Sequence, residues 1–125
     1  MLLATFRPEV SSLVLDRNPL GEGCKAVAEM VATNHDLKEL HFRFSGVGPQ
    51  GMEAIAQAIV AGGSVERLYL INTRLGDEGA KSVVSLLESS PSLKLVHMDD
   101  NQVSPAMKQA VLDAAAKRPG FTISV

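Results

Sequence analysis

The chain has 125 residues, of which 46% are hydrophobic and 21% charged, with 12 lysine and arginine residues against 14 aspartate and glutamate residues. These values predict a single soluble domain with one core, and they disfavour a disordered chain. The formal net charge of −2 disfavours nucleic acid as a partner, because nucleic-acid binding usually depends on a basic surface.

The cysteine content and the length of the apolar N-terminal segment bear on the cellular location of the protein. Cys24 is the single cysteine, which excludes a disulfide within the chain. Met1–Phe6 is shorter than a membrane span or the apolar core of a signal peptide. We therefore expect a cytoplasmic protein in a reducing compartment, with no membrane partner.

Four segments of the chain repeat one pattern of apolar residues. Their equivalent positions Leu13, Leu40, Leu68 and Val96 are separated by 27, 28 and 28 residues. Apolar residues first alternate, as in a short strand with one buried face: Leu13/Leu15, Leu40/Phe42, Leu68/Leu70 and Val96/Met98. They then fall at i, i+3 and i+4, as in an amphipathic helix: Val27/Met30/Val31, Ile55/Ala58/Ile59, Val83/Leu86/Leu87 and Val111/Ala114/Ala115.

These units predict one domain over residues 1–125. The repeats span about 10–36, 37–64, 65–92 and 93–120, and a closing strand follows at 121–125. Paired strands lie about 4.8 Å apart and packed helices about 8–10 Å apart, so the row must bend with its strands inside. The predicted fold is a right-handed α/β solenoid, a horseshoe arc with parallel strands on the concave face and helices on the convex face.

Two kinds of small or polar residue recur between strand and helix. The glycines are predicted to serve tight turns and close packing, and they form two columns: Gly21, Gly48 and Gly76, and Gly23, Gly51 and Gly79. The fourth unit has Ser104 and Met107 there, so its helix is expected farther out or tilted. Ser104 and Asp77 are suited to capping helix amides. The polar column is predicted to be structural: Asn18, Ser45, Thr73 and Asn101.

The family signal comes from four similar segments. They follow the pattern L-x-x-L-x-L-x-x-N-x-L at 10–21, 37–48, 65–76 and 93–104, and Gly-Asp-Glu-Gly-Ala follows the third strand. The pattern resembles the leucine-rich repeat family, in its ribonuclease-inhibitor-like subfamily, over nearly the whole chain. The resemblance implies a non-enzymatic module for protein–protein interaction. Members share a scaffold rather than a target, so a GTPase-regulator-like or actin-regulator-like role remains an alternative.

Alternation along each strand also predicts which side chains point away from the core and form the concave face. Tyrosine, phenylalanine, arginine and isoleucine at its centre are residue types that anchor interfaces, and lysine and glutamate at its edges suit a wet rim. Five basic and five acidic residues balance there, which disfavours a polyanion. The predicted partner-binding residues are Val14, Arg17, His41, Arg43, Phe44, Tyr69, Ile71, Asn72, His97 and Asp99.

A nucleotide-cofactor-binding enzyme is the alternative from another functional class. Gly46–Gly51 matches G-x-G-x-x-G between a predicted strand and a predicted helix. The next unit repeats these glycines beside Asp77 and Glu78, which would repel phosphate, so packing is the favoured interpretation. Titration with NAD and ATP, repeated with Gly48→Ala, would separate the two.

Metal binding and catalysis are disfavoured as well. His41 and His97 lie two strands apart, about 10 Å, which is too far for both to bind one zinc ion. His97 and Asp99 lack further ligands, Cys24 is predicted to be a half-buried packing residue, and His35 a solvated loop residue. We therefore predict no catalytic, cofactor-binding or metal-binding residues and no cofactor.

The two ends of the repeat row leave several interpretations open. Phe121–Val125 resembles an uncovered strand, so the chain could associate with itself through uncapped ends. It could equally be a fragment of a longer repeat array, or Met1–Phe6 could fold over the end of the row.

Overall fold

The computed structural model describes residues 5–7 and 11–125. Within them, strands and helices alternate along the chain after an initial pair of strands. The elements are β1 Thr5–Arg7, β2 Ser12–Val14, α1 Cys24–Thr33, β3 Glu39–His41, α2 Gly48–Gly62, β4 Arg67–Tyr69, α3 Gly76–Ser89, β5 Leu95–His97, α4 Pro105–Ala116 and β6 Thr122–Ser124.

The strands form one sheet in sequence order from β1 to β6. From β2 to β6 each strand is parallel to the next, and Leu13, Leu40, Leu68 and Val96 are directly paired, which confirms the predicted register. Hydrogen bonds continue past the strand ends: the amide of Phe42 donates to the carbonyl of Tyr69 at 2.8 Å, and that of Leu70 to His97 at 2.7 Å. The α/β solenoid is therefore confirmed.

Strand β1 is the one described strand that the repeat pattern did not predict. Its residues Thr5–Arg7 pair antiparallel with β2 and cover the edge of the first repeat strand. Of the expectation that Met1–Phe6 folds over the end, residues 1–4 lie outside the described part of the chain. Three residues paired without the 28-residue period carry too weak a signal for sequence reasoning.

The core lies between the strands and the helices. The alternating strand residues are buried as predicted, including Leu40, Phe42, Leu68 and Leu70 at 0% exposure. The predicted helix residues are also buried, with one exception. Met30 is 41% exposed, because α1 turns its Val27 and Val31 inward and leaves Met30 at the side of the helix.

The glycine columns have the predicted steric roles. Gly48 and Gly76 have φ values of +71° and +61°, which other residues adopt with strain. At Gly51 an added Cβ would lie 2.8 Å from the Cys24 sulfur, so the glycine allows α2 to approach α1. Cys24 is fully buried rather than half-buried.

The fourth unit differs from the others at the start of its helix. Ser104 caps α4, its hydroxyl accepting from the Met107 amide at 3.2 Å, while the other three α-helices have no side-chain cap bond. Asp77 lies inside the first turn of α3 and accepts instead from the Ser104 amide at 2.8 Å. The expectation that Asp77 caps its own helix is therefore wrong, since its carboxylate reaches across to the next unit.

Among the residues that the structure describes, no helix is both long and apolar enough to span a lipid bilayer.

Candidate functional site

The outward strand side chains form three rows across the sheet. The first row follows the strand register from Val14 to His97, and each of its side chains is partly exposed. The second row lies one alternation further along each strand, and the third consists of exposed residues at the strand ends. The rows are Val14, His41, Tyr69 and His97; Asp16, Arg43, Ile71 and Asp99; and Arg17, Phe44, Asn72 and Asp100.

Three rings of the first row contact one another. His41 and Tyr69 are stacked, with ring centroids 4.3 Å apart and planes 17° apart. Tyr69 and His97 meet edge to face at 5.3 Å. Tyrosine and histidine have an apolar ring and a polar tip, so the row presents a continuous amphipathic surface over three strands.

Hydrogen bonds fix the orientation of His41. The guanidinium of Arg43 donates to His41 Nδ1 at 3.0 Å, so Nδ1 carries no proton. The proton is then on Nε2, which donates to Glu39 Oε1 at 3.1 Å. The geometry therefore requires the neutral Nε2–H tautomer.

Arg43 connects the first two rows. Its side chain lies 5.4 Å from the centre of the Tyr69 ring, while its Nε is 3.3 Å from Asp16 Oδ2, an ion pair without hydrogen-bond geometry. The backbone amide of Arg43 donates to Asp16 Oδ1 at 2.7 Å. Asp16 therefore holds both the backbone and the side chain of the next strand in place.

Charges at the rim of the face are largely paired across strands. Arg67 donates to Glu39 at 3.2 Å, and Glu66 lies 3.8 Å from both Lys38 and Lys94. Such exposed pairs contribute little stability, but they cancel most of the local charge. The balance expected from the sequence is thus built from neighbouring opposite charges.

The third row is the most exposed part of the face. Phe44 is 46% exposed, and the Arg17 guanidinium lies 4.7 Å from the centre of its ring. All four residues of this row have positive φ, from +52° to +63°, so this conformation belongs to the repeat. At the other end of the face, Asp99 accepts from the Ser124 hydroxyl at 2.7 Å.

Sequence reasoning missed two residues beside these rows. Arg74 is exposed and shares a depression with Arg17 and Phe44. It follows the polar column, where no other unit has a charged residue, and that break in the repeat is the signal that could have identified it. Ser124 belongs to the predicted closing strand and pairs with His97, so it continues the first row, and alternation along that strand is the signal that could have identified it.

The alternative sites have structural roles in the described part of the chain. The Gly48 amide of the G-x-G-x-x-G segment donates to the Thr73 carbonyl at 2.9 Å, so it serves the repeat stack. His35 is exposed as expected, but its Nδ1 is bonded to the Gly62 carbonyl at 2.8 Å. Over residues 5–7 and 11–125, no group of three or more potential ligand side chains is arranged to hold a metal ion.

Burial also determines the chemistry of Cys24. Desolvation raises the pKa of its thiol, which disfavours the reactive thiolate. The sulfur lies 3.9 Å from the Val47 carbonyl oxygen, within the contact between α1 and the start of α2. Cys24 is therefore a packing residue rather than a nucleophile.

Comparison with known proteins gives one family match and several similar structures. A family model described as leucine rich repeat matches residues 33–56. The structure of leiomodin-1 actin-binding site 2 superposes with a TM-score of 0.82 at 12% identity, over 94% of this chain and 70% of that chain. The tropomodulin C-terminal domain of Caenorhabditis elegans gives 0.63 at 20% identity, over 83% of this chain and 62% of that chain.

No curated protein matches the chain by sequence. At identities of 20% and below, the two structures establish the fold alone. The family match, the 28-residue spacing and the stacked parallel strands agree, and together they support a leucine-rich repeat fold.

Proposed function

We propose that this protein is a non-enzymatic interaction module that binds a protein partner on its concave face. The observation that supports this most directly is the ring row His41–Tyr69–His97, with Phe44 exposed beside it. Aromatic side chains held rigidly on a sheet form an anchor at little entropic cost. The paired charges around them suit a protein surface better than a polyanion.

The predicted partner-binding residues keep their places in this proposal. Arg43 and His41 are fixed by Asp16 and Glu39, so they would meet a partner with little loss of freedom. Ile71 and Val14 supply apolar area, and the remaining members supply polar contacts at the strand ends. These last are Arg17, Asn72, His97 and Asp99.

The proposal extends to subtype and location. The 27- and 28-residue spacing, with one strand and one helix in each unit, supports the ribonuclease-inhibitor-like subtype. Cys24 is a free, buried thiol, which is compatible with a reducing cytoplasm. The four repeats and closing strand are proposed as one domain over residues 1–125.

Actin is a specific partner to test, since the similar leiomodin-1 structure is named as an actin-binding site. Its 12% identity supports the shared fold only, so actin enters as a probe alongside unbiased capture. Self-association is a further part of the proposal, supported by β6, which among the described strands pairs only with β5. Light scattering on the purified chain would measure it.

The decisive experiment compares two pairs of substitutions. Tyr69→Ala with Phe44→Ala removes apolar area from the concave face, while Met30→Ala with Val60→Ala removes exposed apolar side chains from helices. We expect a captured partner, or purified actin, to lose at least tenfold in affinity with the first pair only. If both double variants remained folded by circular dichroism and bound the partner with equal affinity, binding would be assigned to another surface.

A further inference from the structure

A depression with unpaired positive charge lies at the edge of the sheet, next to the concave face. It is formed where β2, β3 and β4 end and has a volume of about 510 Å³. We call it the edge pocket, and its principal lining residues are Arg17, Pro19, Phe44, Gly46, Asn72 and Arg74.

The edge pocket exists because one position in the repeat lacks a side chain. Pro19, Gly46 and Arg74 occupy the same place in successive units, two residues beyond the exposed row. A Cβ built on Gly46 would meet no atom within 4 Å, so open space separates Pro19 from Arg74. Phe44 and Arg17 border the same space from the concave side.

The charge of the edge pocket is uncompensated. The other arginines of residues 11–125 are engaged, Arg43 with Asp16, Arg67 with Glu39, and Arg118 with backbone carbonyls. Arg17 contacts the Phe44 ring, and over residues 11–125 neither Arg17 nor Arg74 has a carboxylate partner.

None of the described residues that line the edge pocket is acidic. Asp16, the acidic residue next to Arg17 in the chain, is held by the side chain and the backbone amide of Arg43. Glu22 follows the lining residue Gly21 but borders a different depression. The two guanidinium groups are therefore available to a ligand.

We propose that the edge pocket binds an acidic peptide segment of a protein partner, its carboxylate held between Arg17 and Arg74. A guanidinium can bind a carboxylate through two parallel hydrogen bonds, which favours arginine over lysine for this task. The Phe44 ring and Pro19 supply an apolar surface for the residue next to the carboxylate. This inference rests on the proposed function, because the edge pocket adjoins the concave face and gives the partner its chemical character.

A peptide fits this surface better than a nucleic acid. A polyanion needs a row of cations along its backbone, and the edge pocket offers two. The rest of the concave face is charge-balanced, and Asp99 and Asp100 lie at its far end. A short segment with one or two carboxylates matches both the size and the charge of the edge pocket.

The test uses the whole chain and two synthetic peptides, one alternating glutamate and leucine and the other glutamine and leucine. We expect the glutamate peptide to shift the amide resonances of Arg17, Phe44, Gly46 and Arg74 in a titration followed by nuclear magnetic resonance. The glutamine peptide should bind at least tenfold more weakly. Equal binding of the two peptides would overturn the proposal.

Three variants make the assignment specific. Arg17→Gln and Arg74→Gln should each weaken the glutamate peptide at least fivefold, while Arg67→Gln, whose side chain is paired with Glu39, should leave it unchanged. If a single-stranded oligonucleotide displaced the glutamate peptide at a concentration lower than that of the peptide, the edge pocket would be reassigned to nucleic acid. Inorganic phosphate binding equally well would show a simple anion site and would also overturn the peptide assignment.

Failure of the edge pocket proposal can be distinguished from failure of the proposed function. Binding of the glutamate peptide is measured directly on the chain, independently of partner capture. If Tyr69→Ala with Phe44→Ala leaves partner capture intact while the glutamate peptide still needs Arg17 and Arg74, only the concave-face proposal fails. If the partner is lost with that pair but neither arginine affects the peptide, only the edge pocket proposal fails.

Discussion

Asn101 is an extensively hydrogen-bonded side chain of the polar column. Its Oδ1 accepts from the amides of Thr73 at 2.8 Å and Leu75 at 3.3 Å, and its Nδ2 donates to the carbonyls of Leu70 at 2.7 Å and Met98 at 2.8 Å. The side chain is 2% exposed, so water does not replace these bonds easily. We expect Asn101→Ala to lower the free energy of unfolding by about 3 kcal/mol, as several buried groups lose their partners.

Ser45 provides the matched control in the same column. Its hydroxyl donates to the Leu15 carbonyl at 2.6 Å and reaches fewer groups than the amide of Asn101. Ser45→Ala should therefore cost about 1 kcal/mol. Urea unfolding of both variants measures the difference, and equal losses would contradict the larger contribution expected of Asn101.

Asp77 makes stability depend on pH. The Ser104 amide donates to its carboxylate and holds the pKa of Asp77 below its ordinary value. The lowered pKa means that the folded chain favours the charged form, so this contribution is present above the ordinary carboxyl pKa and is lost as pH falls through the lowered one. Wild type should exceed Asp77→Asn in urea midpoint at pH 7, and the gap should close in acid.

Asp36 supplies a control substitution, because it is exposed. Asp36→Asn should lower the urea midpoint at pH 7 by less than Asp77→Asn does. If the difference in urea midpoint between wild type and Asp77→Asn stayed constant between pH 2 and 7, the Ser104 contact would not depend on the charge of Asp77.

Helix packing depends on the contact between Gly51 and Cys24. An added Cβ at Gly51 would lie 2.8 Å from the Cys24 sulfur, so Gly51→Ala should cost about 1–3 kcal/mol by forcing α1 and α2 apart. In a Cys24→Ala background the sulfur is absent, and the cost should fall by at least about 1 kcal/mol. Chemical denaturation of the four chains gives this coupling.

Gly79 is the control in the same column. Its added Cβ would meet Leu75 Cβ at 2.6 Å and has no contact with Cys24. The cost of Gly79→Ala should therefore be the same with and without Cys24→Ala. If Cys24→Ala lowered the cost of both Gly51→Ala and Gly79→Ala, the effect would be a general loosening of the helix layer.

The predictability of these elements followed from their periodicity. Residues such as Leu40 and Leu68 repeat at fixed spacing and alternate in burial, so strand, register and core could be read from the sequence. Met30 obeyed the helical spacing but is exposed, because the exact rotation of α1 depends on packing rather than on spacing.

The concave face was less predictable. Alternation identified its members, but the Arg43–His41–Glu39 network and the edge pocket depend on side-chain conformation and on a missing side chain at Gly46. A linear pattern contains neither.

The whole molecule is a row of units in which each helix packs on the next: α1 on α2, α2 on α3 and α3 on α4. In such a solenoid, stability is approximately a sum over units and their interfaces. The last unit has a small buried face, since α4 buries three residues, as α1 does, whereas α2 buries seven. Its attachment must therefore rely on additional contacts.

Arg118 makes the principal contact of this kind. Its guanidinium donates to the carbonyls of Leu87 at 3.0 Å, Pro91 at 3.2 Å and Leu93 at 2.8 Å, which joins the end of the fourth unit to the third. Hydrogen bonds from a charged donor contribute about 1.5–3 kcal/mol each. Arg118→Ala should therefore accelerate hydrogen exchange at Thr122 and Met98 by at least about tenfold.

The middle of the row should not respond to this change. The amide of Phe42 belongs to the second unit, whereas the acceptors of Arg118 lie in the third and fourth, so its exchange rate should stay within about twofold of wild type. Lys117→Ala, at the exposed neighbouring position, should alter neither set. Equal acceleration at Phe42 and Thr122 would show that the solenoid opens as one cooperative body, and the additive description of its units would then be wrong.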